Sequence, residues 1–317
     1  MLLRPLMLND WIQRGDYFSY HKGQCDYSIF YCDSAKSSAI EKIKPALVLI
    51  HGFPTASIDW QHLWPHLMKH FRLVTLDMIG FGLSDKPLDY AYSISDQADI
   101  FQALLKQLAV SEYHLLAHDY GDTVAQELLA RQLETTPIEV GKPSGSKILS
   151  ALLLNGGLFP ETHYPVLAQK LLISPLGSWL IKFYSYRKFK KTFAIICARN
   201  ITEEELNTYW NLLQYNQGKV VMPKLIRYMR ERRKYRARWV GALQNSSQPI
   251  RVVDGIADPI SGGHMLERYR QLISNPDVIE LEGIGHYPQV EAPQRVIVAA
   301  LEFWQRHHFI AVTDFHD

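Results

Sequence analysis

Short runs of branched apolar residues alternate with stretches of helical periodicity along most of the chain, and one long block, residues 156–244, carries helical segments and no clear strand. The alternation predicts an α/β fold whose strands are mostly parallel and covered by helices on both faces. The block predicts a helical cap inserted into that core. The expected architecture is therefore a mostly parallel eight-stranded sheet, with core segments over 1–156 and 245–317 and a cap over 157–244. In such a sheet the functional site lies at the carboxyl ends of the strands.

Residues 16–33 are rich in Tyr and Phe with partial alternation, which suits an antiparallel pair at a sheet edge. A polar loop over 34–44 follows. Residues 45–50 are a continuous apolar run that reads as a buried strand and stops at His51-Gly-Phe-Pro54; residues 71–76 read as the next strand, followed by the glycine-punctuated loop 77–87. Ser93 opens a helix that runs to about Leu108. The next strand, around Leu115 to Ala117, turns at Asp119 into a helix whose apolar residues Val124, Ala125, Leu128 and Leu129 keep helical spacing. A polar loop over 134–147 separates this helix from a strand over 148–154. After the cap block, strand character returns at 250–253 and again at 278–281, with a helix at about 264–273 between them and a closing helix from Pro293 to about Gln305.

Composition removes several classes of function. With 47% apolar and 21% charged residues the chain is an ordinary globular sequence, and a net charge of +2 points to neither nucleic acid nor a strongly acidic partner. The expected partner is a small-molecule substrate. Three scattered cysteines, Cys25, Cys32 and Cys197, do not make a disulfide framework or a metal cluster, which favours a reducing compartment. The first eight residues are broken by Arg4 and Pro5 and lack a cleavage pattern, so the expected location is cytoplasmic. Residues 167–186 are apolar but contain Lys170 and Lys182 and are interrupted by Pro175 and Gly177, which suits an amphipathic helix better than a crossing and is compatible with peripheral membrane contact.

The stretch from Tyr113 to Arg131 carries the chemistry. A strand-to-helix turn this tight strains its central residue and tolerates only small side chains two positions away, and Ala117 and Gly121 flank Asp119 at those positions. An aspartate at such an elbow is ionised at neutral pH and can displace a leaving group at an sp³ carbon without a base. The resulting ester then needs an activated water. An aspartate before an apolar-periodic segment also commonly caps a helix, but two later loops favour the nucleophile. Gly255-Ile-Ala-Asp-Pro259 presents Asp258 after a strand, and Gly283-Ile-Gly-His-Tyr-Pro288 presents His286 after the last one. The order Asp119, Asp258, His286 is a nucleophile, acid, base order. His286 is expected to deprotonate the water and Asp258 to hold the imidazole in the required tautomer, with Asp254 as a rival for that role. Backbone N–H groups of Phe53 and Tyr120 are expected to form the oxyanion hole. Asp77 and Asp122 read as structural.

The cap offers Trp239 and the tyrosines Tyr209, Tyr215, Tyr228 and Tyr235 as candidate pocket walls; Trp239, Tyr215 and Tyr235 are taken as the substrate-binding set. Arg227, Arg230, Arg232, Arg233, Arg236 and Arg238 lie in what reads as one helix, either a solvated face or an attractor for an anionic substrate or lipid headgroup.

Taken together, His51-Gly-Phe-Pro-Thr55, the loop 77–87, the elbow 118–128, residues 155–163, Arg238-Trp-Val-Gly-Ala-Leu243 and His286-Tyr-Pro-Gln289 resemble the α/β-hydrolases with an aspartate nucleophile, the epoxide hydrolase and haloalkane dehalogenase group. The resemblance covers roughly residues 46–295. It implies a hydrolase fold with a helical cap, the triad Asp119, Asp258 and His286, and no cofactor or metal. Many dehalogenases of this group carry Asn after the His-Gly pair and Trp after the nucleophile; here those positions are Phe53 and Tyr120. Members acting on fluoroacetate carry Arg after the nucleophile, which this chain lacks. Epoxide hydrolases use two cap tyrosines, and no tyrosine here sits in a matching motif. The expectation is an epoxide hydrolase-like enzyme on a small or lipid-like apolar substrate. The alternatives are a haloalkane dehalogenase-like hydrolase and a hydrolase-shaped binding protein whose triad is idle behind an occluded pocket.

Overall fold

The computed structural model describes residues 6–36, 38, 42–134 and 146–311. Eight strands form one sheet: β1 (Gly15–Lys22), β2 (Cys25–Asp33), β3 (Ala46–Ile50), β4 (Arg72–Leu76), β5 (Glu112–His118), β6 (Lys147–Leu154), β7 (Ile250–Gly255) and β8 (Asp277–Leu281). Their spatial order is β1-β2-β4-β3-β5-β6-β7-β8. β1 pairs with β2 and β2 with β4 antiparallel, and the remaining neighbours are parallel. All five residues of β3 and of β4 are buried, as continuous apolar runs in a sheet covered on both faces should be. The edge hairpin is only partly buried: Phe18 is the one buried residue of β1, and β2 is buried from Ile29 onward except at Tyr31.

The sequence boundaries hold to within a few residues. Ser93 caps the helix Ile94–Gln107, its side chain accepting the backbone N–H of Asp96. The elbow helix, Tyr120–Glu134, is buried through its first eleven residues because it packs between the sheet, the helix Ile94–Gln107 and the helix Arg236–Asn245. The closing helix is Pro293–Arg306. A helix over Leu6–Arg14, with Trp11 buried and bonded to Ser57, was not expected from the sequence. Parts of the loops expected over 34–44 and 134–147, and residues 1–5 of the N-terminal reading, lie outside the described residues.

Between β6 and β7 the described residues form helices and no strand. The apolar run 167–186 is not one helix: it divides into Leu167–Ile173, Gly177–Leu180 and a 3-10 turn over Ile181–Phe183, broken where Pro175 and Gly177 fall. The arginine-rich run also divides, into Tyr228–Lys234 and Arg236–Asn245. No helix among the described residues is long and apolar enough to cross a membrane.

Polar ties hold the cap helices to the sheet layer. The buried Glu127 carboxylate accepts from Arg131 Nε at 2.9 Å, Arg238 Nε at 2.8 Å and Trp239 Nε1 at 2.8 Å. His62 Nε2 meets Glu205 Oε1 at 2.7 Å, and the N–H of Ile94 donates to Glu231 at 3.1 Å. A close approach of backbone to backbone holds the elbow against β3. A Cβ added to Gly121 would overlap the carbonyl oxygen of Ile50 and stand 2.8 Å from that of His51, both backbone atoms that cannot yield. Gly121→Ala is therefore expected to destabilise the protein by about 2–3 kcal/mol or more, measured as a fall in the urea midpoint at unchanged m-value.

Candidate active site

β5 ends at His118 and the elbow helix begins at Tyr120, so Asp119 alone makes the turn, at φ 49°. A left-handed conformation is strained for a residue with a Cβ. Here it aims a short carboxylate back across the strand ends. The Asp119 side chain is buried. Its Oδ2 accepts the N–H of Phe53, from the loop after β3, at 3.1 Å. Tyr120 is the first residue of the helix, where an N–H has no intrahelical acceptor.

The other oxygen faces the cap. Tyr228 Oη donates to Oδ1 at 3.4 Å, and Arg232 Nη2 stands 3.6 Å from the same atom. The arginine is held in place on the core side: Nε donates to Thr123 Oγ1 at 2.8 Å and Nη2 to the Asp119 carbonyl at 3.1 Å. Its guanidinium carbon lies 4.5 Å above the Tyr228 ring. Nη1 has no hydrogen-bond partner, and neither ring nitrogen of the neighbouring His163 has one. Both flank Gly157, where a Cβ would overlap Arg232 Nη1 and stand 3.1 Å from His163 Nδ1.

His286 and Asp258 arrive from the loops after β8 and β7. His286 Nδ1 is 2.7 Å from Asp258 Oδ2, and both side chains are buried. Asp258 is anchored by the N–H groups of Ile260 (2.8 Å) and Ser261 (3.2 Å), by Ser261 Oγ (2.9 Å) and by Asn155 Nδ2 (3.2 Å). Its rival Asp254 is turned to Asn155 Nδ2 at 2.9 Å and its other oxygen has no partner. Burial, with Asp258 nearby, pushes the Asp254 carboxyl well above the ordinary carboxylate value, which disfavours it as the anionic partner. The loop bearing His286 is itself fixed by Glu291, which accepts the N–H groups of Gly285 and Tyr287, both at 3.0 Å. The same carboxylate accepts Ala198 and Arg199 N–H from the cap, and the His286 N–H donates to the Ile196 carbonyl at 3.0 Å.

Charge is arranged in opposed pairs. Burial works against ionising Asp119, but the charges of His286 and Arg232 outweigh it and leave its pKa below the ordinary value. Asp258 is lowered in the same way, chiefly by His286 against its burial. Burial opposes a charge on His286 too; Asp258, by charge and hydrogen bond, and then Asp119, raise its pKa to about 9. Linkage follows from these directions. The two lowered carboxylates contribute stability above their unfolded pKa of 3.8 that is lost as pH falls, while raised His286 contributes stability below 6.5 that is lost as pH rises toward 9. His118, whose Nε2 reaches the His286 carbonyl at 2.7 Å, is held neutral by burial, its pKa near 4.

Of the expected cap residues, none of the chosen three is directed to the carboxylate. Trp239 gives its indole N–H to Glu127, Tyr235 is exposed and packs on Trp239 at 5.4 Å, and Tyr215 lies beneath Lys86, whose Nζ is 5.1 Å from its ring. Tyr228 takes the place they were given. Arg232, read as part of a solvated face, is buried, whereas Arg227, Arg230 and Arg233 are exposed. One signal was available: Tyr228 and Arg232 are four apart on a helix and so share a face, which the exposed Arg230 between them does not. His118 and His163 carried no comparable sign. Asp77, accepting from the N–H groups of Ser57 and Leu83, is structural.

A mostly parallel eight-stranded sheet with an acidic elbow and a buried His–Asp pair at its strand ends defines an α/β hydrolase, and the family described as alpha/beta hydrolase fold matches residues 45–293. The chain belongs to that family. It is 40% identical over 308 residues to mesoderm-specific transcript protein of Mus musculus, across 93% of this chain and 87% of that one. In fold it is similar to a loop variant of haloalkane dehalogenase DbeA from Bradyrhizobium elkanii, at 20% identity and a TM-score of 0.72 over 92% of this chain and 98% of that one. It is likewise similar to the epoxide hydrolase CorEH, at 17% identity and a TM-score of 0.70 over 92% and 99%.

Removing the Asp119 charge removes one of the groups that hold His286 protonated. In Asp119→Asn the His286 pKa, followed by imidazole resonances in NMR, is expected to fall below its wild-type value of about 9. An unchanged or raised value would mean that the two groups are not coupled.

Proposed function

We propose that the protein is a cofactor-independent hydrolase of the epoxide hydrolase type, acting through an ester on Asp119. The observation that carries this reading is the division of labour on one carboxylate: Oδ2 is held by a backbone N–H at 3.1 Å, while Oδ1 faces a phenol at 3.4 Å. Oδ1 is then the attacking atom. As it bonds to a ring carbon, the C–O bond breaks toward the epoxide oxygen, which takes the Tyr228 proton. Burial and then the Asp119 charge hold the Tyr228 phenol above its ordinary pKa; the Asp119 contribution is lost on ester formation, and the Arg232 guanidinium, 4.5 Å from the ring, opposes the rise. Arg232 thus takes the place of a second tyrosine in this reading.

Ester formation also retunes the base. Asp119 loses its charge, so one cause of the raised His286 pKa disappears at the step that next needs a neutral imidazole. The imidazolium passes its proton to the tyrosinate; neutral His286 then deprotonates water, the hydroxide adds to the Asp119 carbonyl carbon, and the oxyanion develops on Oδ2 toward the N–H groups of Phe53 and Tyr120. Collapse frees the diol and the carboxylate and leaves His286 protonated, as in the resting site. The halide-binding Asn and Trp that a dehalogenase uses are Phe53 and Tyr120 here, which favours ring opening over dehalogenation.

A second reading has its own support. Asp119 is almost wholly inaccessible and a guanidinium stands beside its free oxygen, which is what an idle triad behind an occluded pocket would present. Trapping separates the two. With a panel of aryl and alkyl epoxides, Asp119→Asn is expected to abolish diol release, and His286→Gln to accumulate an adduct on Asp119 of the mass of the intact epoxide. No adduct in any variant with any epoxide would leave the idle fold. Tyr228→Phe is expected to slow ring opening by about a hundredfold or more, the size of a lost general acid, with little change in the hydrolysis rate of a preformed adduct.

A further inference from the structure

The cap carries an open apolar groove that the proposed chemistry does not use. It has a volume of about 330 Å³ and runs between the helices Leu167–Ile173 and Tyr186–Ile196 and the 3-10 turn Ile181–Phe183. Its floor is aliphatic, with Leu172 and Ile181 buried. Its margin is unusual for a protein surface in water: Leu167 is 72% exposed, Trp179 57%, and Phe183 and Ile195 are exposed as well. Trp179, on the adjoining helix Gly177–Leu180, stands edge to face with Phe183 of the groove, 4.9 Å away. Contiguous exposure of large apolar side chains marks a surface that meets something.

The charge around the groove says what. Residues 162–202 contain no Asp or Glu, although the whole chain has 32 of them, and they contain seven Lys and Arg. Lys188 and Lys191 line the groove itself, and Lys170 and Lys182 are exposed on its flanking segments. Lys190 is paired with Glu203, but no described carboxylate pairs with Lys170, Lys182 or Lys191. A face of one sign is a poor surface for a second copy of itself, because a two-fold contact would bring the lysines together. Apolar and aromatic side chains at one level with lysines around them are what an anionic bilayer surface accepts: the rings enter the headgroup boundary and the ammonium groups meet lipid phosphates.

We propose that this face of the cap docks the protein on anionic phospholipid membranes, with Trp179, Phe183 and Leu167 inserted and Lys182 and Lys191 on the headgroups. The test is co-sedimentation of the full chain with phosphatidylcholine vesicles with and without phosphatidylglycerol. Partition is expected only with phosphatidylglycerol and is expected to weaken as salt is raised. Lys182→Glu with Lys191→Glu is expected to lower the partition coefficient about tenfold or more. Trp179→Ser with Phe183→Ser is expected to abolish it, and Lys106→Glu, on an exposed helix of the core, to leave it unchanged. All these side chains are exposed, so melting temperatures should not move. Equal binding to neutral vesicles, or binding unaffected by the Trp179 and Phe183 changes, would overturn the proposal. So would a self-associated species in sedimentation that Trp179→Ser dissociates while no variant binds vesicles. None of these outcomes depends on turnover.

Discussion

An ionised carboxylate in a dry site is costly unless charge and hydrogen bonds are brought to it, and the organisation of this protein follows from meeting that cost at Asp119. The core supplies part of it: a backbone N–H from the loop after β3, and the His286–Asp258 pair from the last two strand ends. The cap supplies the remainder through Arg232 and Tyr228. Neither layer satisfies the carboxylate alone. Cap position and Asp119 ionisation are consequently parts of one electrostatic arrangement.

That arrangement explains why so much buried polar structure lies behind the site. Asp258 is held by four donors besides His286, and Glu291 gathers four N–H groups from the His286 loop and the cap segment after Ile196. Anchoring of this kind fixes rotamers, so that the imidazole does not reorient when the charge beside it changes. Glu127 has the matching structural role on the far side of the elbow helix, taking Arg131, Arg238 and Trp239 together.

Strain and close approach meet at the bend. Asp119 has a positive φ, and Gly121 brings the elbow helix within backbone contact of β3. Asn155, also at positive φ, makes the equivalent turn after β6, and its amide lies between Asp254, whose pKa is raised, and Asp258, whose pKa is lowered. Two carboxyls so near one another cannot both ionise. Their unequal environments decide which does.

The strands were legible in the sequence because a buried parallel strand writes itself as an unbroken apolar run, as at Val48 or Leu152, and the elbow because steric limits admit so few residues around Asp119. The order of Asp119, Asp258 and His286 could be read for the same reason, each following a strand. What the cap contributes could not be read in that way. Its helices are short, and the side that faces the carboxylate depends on how they dock, so Tyr228 and Arg232 were indistinguishable in composition from Tyr235 and Arg233 beside them. Periodicity is local and docking is not: the sequence by itself determined the sheet, the bend and the three residues at its strand ends, and only the tertiary structure decided which tyrosine and which arginine meet the charge.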